Sequence, residues 1–136
     1  MHIDPTRPQF DAFKALPRDK PINMLNLVRL RERADYPDGR EATGAEAYAA
    51  YGRESGPVFA KVGGSILWRG DFEAVLIGPE DEAWDHVFIA RYPSAAAFLA
   101  MVTDPIYREA VKHRQAAVAD SRLIRLGDAE AGKGFG

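Results

Sequence analysis

Two arginines, a histidine, an asparagine and several tyrosines are the side chains of this chain best suited to chemistry on a small molecule. Arg69 sits in the run SILWRG, among Ile66, Leu67 and Trp68. A guanidinium held among apolar groups is costly unless paired, so it should meet an anionic ligand or, in the plainer case, Asp71, Glu73 or Asp85. Tyr107 and Arg114 lie two helical turns apart and share a stripe with Val111. There Arg114 can hold a carboxylate or enolate bidentately, or it can simply pack its stem and send its head to water. His86 is the candidate proton carrier, because imidazole titrates nearest neutrality. Its neighbour Asp85 points to the opposite face of a flat strand and cannot directly serve it. Asn26, on an apolar strand, needs partners from a ligand or from backbone. Tyr48 and Tyr51 face inward, a pattern that usually means core; Tyr51 is kept as a binding candidate beside Tyr107. His113 adjoins Arg114 but points off its stripe, toward solvent.

Other chemistries find little support. There is no cysteine, hence no disulfide framework, thiolate metal site or Cys nucleophile. His2, His86 and His113 have no HxH or HExxH spacing, and the carboxylate clusters fall in loops, so no metal site is expected. No GxSxG elbow or phosphate loop occurs, and the late GKGFG opens no helix. No cofactor is expected.

The elements that must position these residues are legible from periodicity and caps. Residues 4–16 read as a helix, with Asp4 as cap, Pro5 in the first turn, and Phe10, Phe13 and Leu16 at helical spacing. Ile22 to Leu30 reads as a strand, apolar on both faces. A charged loop over 31–42 leads to a capping box, Thr43 to Glu46, and a helix carrying Tyr48, Tyr51, Ser55, Val58, Phe59 and Val62, where Pro57 predicts a kink or break near Gly56. Gly63-Gly64 ends it. SILWRG and FEAVLIG read as one strand bent at Gly70-Asp71. WDHVFIARY is the third strand, Trp84 and His86 sharing a face. Ser94 caps one helix, Asp104-Pro105 opens a second, and Ser121 to Leu126 is the last strand. The tail from Gly127 has no apolar pattern and is expected to be loose.

The order is β-α-β-β-α-β, the split βαβ plan of an α+β antiparallel sheet with its helices on one face. With strands apolar on both sides, the uncovered face calls for a second copy, so a two-fold homodimer is expected. The chain has 136 residues, 46% apolar and 28% charged, as for one globular domain. Its net charge of -2 argues against a partner held through nucleic-acid phosphates. No apolar run is long enough to span a membrane and no targeting segment is evident, which points to a cytoplasmic protein.

The strings MLNLVRLRERADYPDG, GAEAYAAYG, GGSILWRG, EAWDHVFIARYPSAAAF and DPIYREAVKHRQAAVADSRLI resemble the domain of unknown function 1330 family, a branch of the dimeric α/β-barrel superfamily. The resemblance covers Ile22 to Leu126, leaving 1–21 as a helical extension and 127–136 as a tail. It implies a ferredoxin-like protomer whose sheet packs on its twin to make a barrel. Relatives in that superfamily include cofactor-free monooxygenases, small isomerases and lyases, stress-related proteins and haem-binding enzymes. Where many relatives carry a glutamate before the aromatic-Pro-Ser element, this chain has Arg91 before Tyr92, so a base role for that glutamate does not carry over.

The reading that follows is a homodimeric, cofactor-free enzyme acting on a small carbonyl- or carboxylate-bearing molecule. Arg69 and Arg114 would hold negative charge, Asn26 and Tyr107 would orient the ligand, and His86 would move protons. The rival is a dimer that binds a small molecule, or serves in stress, without turnover. An RNA-binding reading lacks the aromatic strand motif and a basic sheet face.

Overall fold

The computed structural model describes residues 1–136 as four helices and four strands. In chain order they are α1 (Arg7–Ala15), β1 (Ile22–Leu30), α2 (Gly44–Lys61), β2 (Ser65–Gly70), β3 (His86–Tyr92), α3 (Ala95–Thr103), α4 (Pro105–Ala117) and β4 (Val118–Leu126). The strands form one antiparallel sheet in the order β2-β3-β1-β4, the α+β, ferredoxin-like arrangement expected from the element order.

Register assigns each side chain a face, because directly paired residues project the same way. Ile22, Met24, Asn26 and Val28 of β1 pair with Tyr92, Ala90, Phe88 and His86 of β3. This row faces the helices, and Ile22, Met24, Ala90 and Tyr92 join Val58, Ala95, Phe98, Met101 and Tyr107 in the main core. The other face carries Leu25, Leu27, Val87 and Ile89, continued by Trp68 on β2 and Ile124 on β4. No helix covers it: Trp68 is 57% and Ile124 43% exposed.

The helix starts follow their caps. Thr43 accepts from the Glu46 N–H while the Glu46 carboxylate accepts from the Thr43 N–H. Ser94 accepts from Ala97 N–H and Asp104 from Ile106 N–H, so α3 and α4 are separated by a single capping residue. Two glycines are sterically required. Gly63 takes φ +86° to turn the chain out of α2, and a Cβ on Gly44 would sit 1.9 Å from the Arg31 carbonyl oxygen.

Several boundaries differ from the sequence reading. The α1 cap is Thr6, not Asp4: Thr6 and Gln9 form the reciprocal pair, while Asp4 accepts from Gln115 of α4. Pro57 does not break α2, since both Pro57 and Arg53, whose carbonyl it orphans, are exposed and water can satisfy that acceptor. The bulge falls inside β2, between Ile66 and Trp68. FEAVLIG does not continue that strand: β3 begins only at His86, so residues beyond Gly70 have no neighbour to pair with. Residues 71–85 form an excursion on which Leu76 and Ile77 are 95% and 94% exposed. Trp84 lies outside β3 and is packed by the guanidinium of Arg122, whose strand partner Leu27 belongs to the face away from the helices. β4 starts at Val118, directly after α4. The tail is not loose at its start, because Asp128 pairs with Arg91 and accepts from Asn23.

The first residues are tied down along their length. His2 N–H donates to Asp120, Ser121 Oγ donates to the His2 carbonyl, Phe13 packs on Phe98 at 5.1 Å, and Arg125 donates to the Phe13 and Pro17 carbonyls.

Candidate functional site

One cross-strand row on the helix side gathers three of the sequence candidates. Asn26, Phe88 and Arg69 are directly paired across β1, β3 and β2, and His86 stands two residues from Phe88 on the same face. The Arg69 guanidinium lies over the Phe88 ring at 5.0 Å. Arg69 is not buried among its apolar neighbours: its strand is the sheet edge, it is exposed, and it has neither a carboxylate partner nor a hydrogen bond to the protein. Neither Asp71, Glu73 nor Asp85 reaches it. Asn26 donates to the Met24 carbonyl at 3.0 Å, which leaves its amide oxygen available.

The helices bring a run of phenols to this row. Tyr48 of α2 stacks on His86, with ring centroids 4.7 Å apart and planes 20° from parallel. Tyr51, one turn on, meets Tyr48 at 5.6 Å, and its hydroxyl is 2.8 Å from that of Tyr107 on α4. Burial pushes all three tyrosines above the ordinary phenol pKa, so they stay protonated donors through the physiological range. His86 moves the other way. Burial lowers its pKa and nearby Arg69 lowers it further, against an opposing pull from Asp85, so the imidazole is neutral and can accept a proton.

Two other candidates are engaged elsewhere. Arg114 donates to the Ile3 carbonyl and to Ser121 Oγ, so its guanidinium, though near enough to act on Tyr48, Tyr51 and Tyr107, fastens the first residues to α4 and β4. Asp85 closes the entry to β3: its N–H donates to the Val28 carbonyl and its carboxylate accepts from the Leu30 N–H at 2.7 Å. Arg91 lies on the far face with Asn23 and Asp128, and it holds the Asp128 carboxyl down at about 2.

His113 does not point to solvent. Its Nδ1 is 2.7 Å from the Tyr36 hydroxyl and its Nε2 is 2.7 Å from a Glu54 carboxylate oxygen. The imidazole therefore joins the 31–42 loop, α2 and α4. Tyr36 is buried against Ala47, Ala116 and Ala117, with Arg40 over its ring at 4.4 Å. A cavity of about 410 Å³ opens here, bounded by Tyr36, Arg40, Glu54, Lys112 and His113. Sequence reasoning missed this network because its partners are 18 and 59 residues apart along the chain and sit on three elements. The one signal was a tyrosine in a charged loop, in front of Pro37. At His113 the polar groups satisfy one another, whereas neither the Arg69 guanidinium nor the His86 ring makes a hydrogen bond within the protein. No three His, Asp or Glu side chains converge as a metal cage would require.

Comparison with known proteins agrees with this architecture. The methylated RPA0582 protein is 69% identical over 97% of this chain and 98% of its own, with a TM-score of 0.95; it is described elsewhere as a protein of unknown function from Rhodopseudomonas palustris. At the level of fold alone, the chain is similar to a dimeric ferredoxin-like protein of unknown function from Bacteroides fragilis (13% identity, 79% of this chain and 96% of that one, TM-score 0.50). It is likewise similar to SnoaB, a cofactor-independent oxygenase from Streptomyces nogalater (15% identity, 82% and 96% coverage, TM-score 0.51). No curated protein matches the sequence. The profile of the domain of unknown function DUF1330 matches residues 40–126, from the loop that holds Tyr36 to the end of the last strand, and the chain belongs to that family.

Proposed function

We propose that this protein acts as a homodimer, sheet against sheet, and that each protomer binds a small carbonyl- or carboxylate-bearing molecule at the Arg69–His86 end of its helix-facing row. The observation that carries the reading is Arg69, a permanent cation over Phe88 with no protein anion to satisfy it, beside a neutral imidazole and an asparagine amide. Unpartnered charge next to an unprotonated base is the arrangement an enolisable acid needs. Arg69 meets the anionic oxygens, His86 accepts the proton released from carbon, and the charge that develops on oxygen rests against the guanidinium and neutral hydroxyl donors. This suits cofactor-free oxygenase, isomerase or lyase chemistry, which begins from such an anion. The bare apolar sheet face supports the dimer, since burying it needs a partner of the same shape.

A screen of small carboxylates, phenols and diketones by thermal shift tests the reading. A ligand at about 100 times its Kd raises stability by about 2.7 kcal/mol. Arg69→Ala is expected to cut that stabilisation to about 1.4 kcal/mol or less while keeping the melting temperature of the free protein. An equal ligand shift in Arg69→Ala overturns the proposed site.

Binding without turnover is the second reading, and one observation favours it. The carboxylate nearest His86 in sequence, Asp85, is occupied by the Leu30 N–H, so no acid orients the imidazole. Ligand stabilisation that depends on Arg69 but is indifferent to His86→Gln, with no product formed, would decide for this alternative.

A further inference from the structure

We infer that residues 71–85 are an arm that seats on the sheet face of a second copy of this chain. The inference rests on the homodimer proposed above and names the contact that makes it selective.

The arm has an unusual surface. Its centre is Val75-Leu76-Ile77, and Leu76 and Ile77 are exposed almost as fully as side chains can be. Its flanks carry Asp71, Glu73, Glu80, Asp81, Glu82 and Asp85, with no lysine or arginine among the fifteen residues. Two large aliphatic side chains at the tip of a strongly acidic loop gain nothing in an isolated protomer and leave apolar surface in water.

The sheet face is its complement. Leu25, Leu27, Val87 and Ile89 form an uncovered apolar centre, with Arg29, Arg91 and Arg122 projecting from the same face. These arginines are partly exposed. Asp120 answers Arg29 and Arg122 together and Asp128 answers Arg91, so three cations on this face meet two anions within the protomer. An apolar tip with an acidic rim therefore complements the part of this apolar, net-positive face that the opposing sheet leaves open, where Ile124 and Leu126 of β4 are 43% and 42% exposed.

Placement makes the contact natural. The arm leaves the sheet at Gly70 and returns at His86, and Gly70 pairs with Val87, which belongs to the uncovered face. Facing sheets pack about 10 Å apart. Half of a fifteen-residue excursion, about seven residues, reaches roughly 20 Å when extended. The tip can thus cross from its own sheet to the one opposite, and a two-fold axis gives two such contacts per dimer. Asp85, bonded at both its N–H and its carboxylate, fixes the arm's return.

The test compares two variants by analytical ultracentrifugation over a dilution series. Leu76→Asp/Ile77→Asp places charge where the protomer has only water, so the fold survives, as near-ultraviolet circular dichroism will verify. Ile124→Asp places charge on the uncovered sheet face, where Ile124 is 43% exposed, and the same spectrum checks its fold. With a dimeric wild type, both variants are expected to weaken association at least about 100-fold. A wild-type dimer lost in Ile124→Asp but unchanged in Leu76→Asp/Ile77→Asp overturns the arm and leaves the homodimer standing. A wild type monomeric throughout overturns both. Hydrogen exchange on the wild type gives an independent readout: amides 74–78 should gain protection as dimer forms, and exchange that ignores concentration contradicts the inference.

Discussion

The two ordered histidines of the core layer are built in opposite ways. His113 has both ring nitrogens bonded, one to a phenol and one to a carboxylate, and it pins a loop to two helices. His86 has a tyrosine flat against its ring, a lowered pKa, and a guanidinium nearby without a counter-ion. The first is a finished network, whose energy is already contained in the fold. The second is a set of polar groups left incomplete, and incompleteness is what a ligand can answer. A histidine in a cavity is therefore weak evidence of function by itself; what separates these two is whether the protein satisfies them.

The contrast breaks most sharply by mutation at its structural end. His113→Ala removes the partner of the buried Tyr36 hydroxyl and returns the half-exposed Glu54 carboxylate to water, and should cost about 2 kcal/mol in urea unfolding, with ligand shifts intact. A neutral result there would mean that the pin is not structural. Next, Arg69→Ala should weaken binding of a carboxylate ligand at least tenfold, about 1.4 kcal/mol, while unfolding free energy stays within about 0.5 kcal/mol of wild type. Tyr51→Phe, which removes one neutral hydrogen bond to Tyr107, should cost about 1 kcal/mol of stability in the same unfolding measurement. The smallest effect is the pH dependence from His86. Its folded pKa lies below the unfolded value of about 6.5, so the unfolded chain takes up the proton more readily. Stability is full above that value and declines as pH falls through it, and His86→Gln should flatten this part of the profile.

Much of the fold was legible because its signals are local. The caps at Thr43, Ser94 and Asp104, the glycine pair after α2 and the alternation in β1 each act within a few residues, and each element starts or runs where those residues demand. What escaped depends on distant partners. FEAVLIG has strand-like residues, but a strand needs a neighbour, and β3 is not long enough to supply one. Asp4 is as good a cap as Thr6 in isolation; contact with Gln115 draws it away. Arg114 lies on the expected stripe, yet the first residues of the chain take its hydrogen bonds. Of the candidate site, the residue types Asn26 and His86 and the inward faces of Tyr48 and Tyr51 were readable, but that the four share one side of the sheet depends on strand register and was not. The exposure of Arg69 was not, since edge position in a sheet is a property of strand order and not of the run SILWRG.

The join between α4 and β4 has a mechanical consequence. The helix ends at Ala117 and the strand begins at Val118, both fully buried and with no slack between them. Rotation of α4 about its axis, such as a molecule wedged beside Tyr107 would impose, has no spacer to absorb it. Such a torque would pass straight into the strand and shift Ile124 and Leu126 at the far surface. Occupancy on one side of the sheet could in this way be felt by whatever rests against the other.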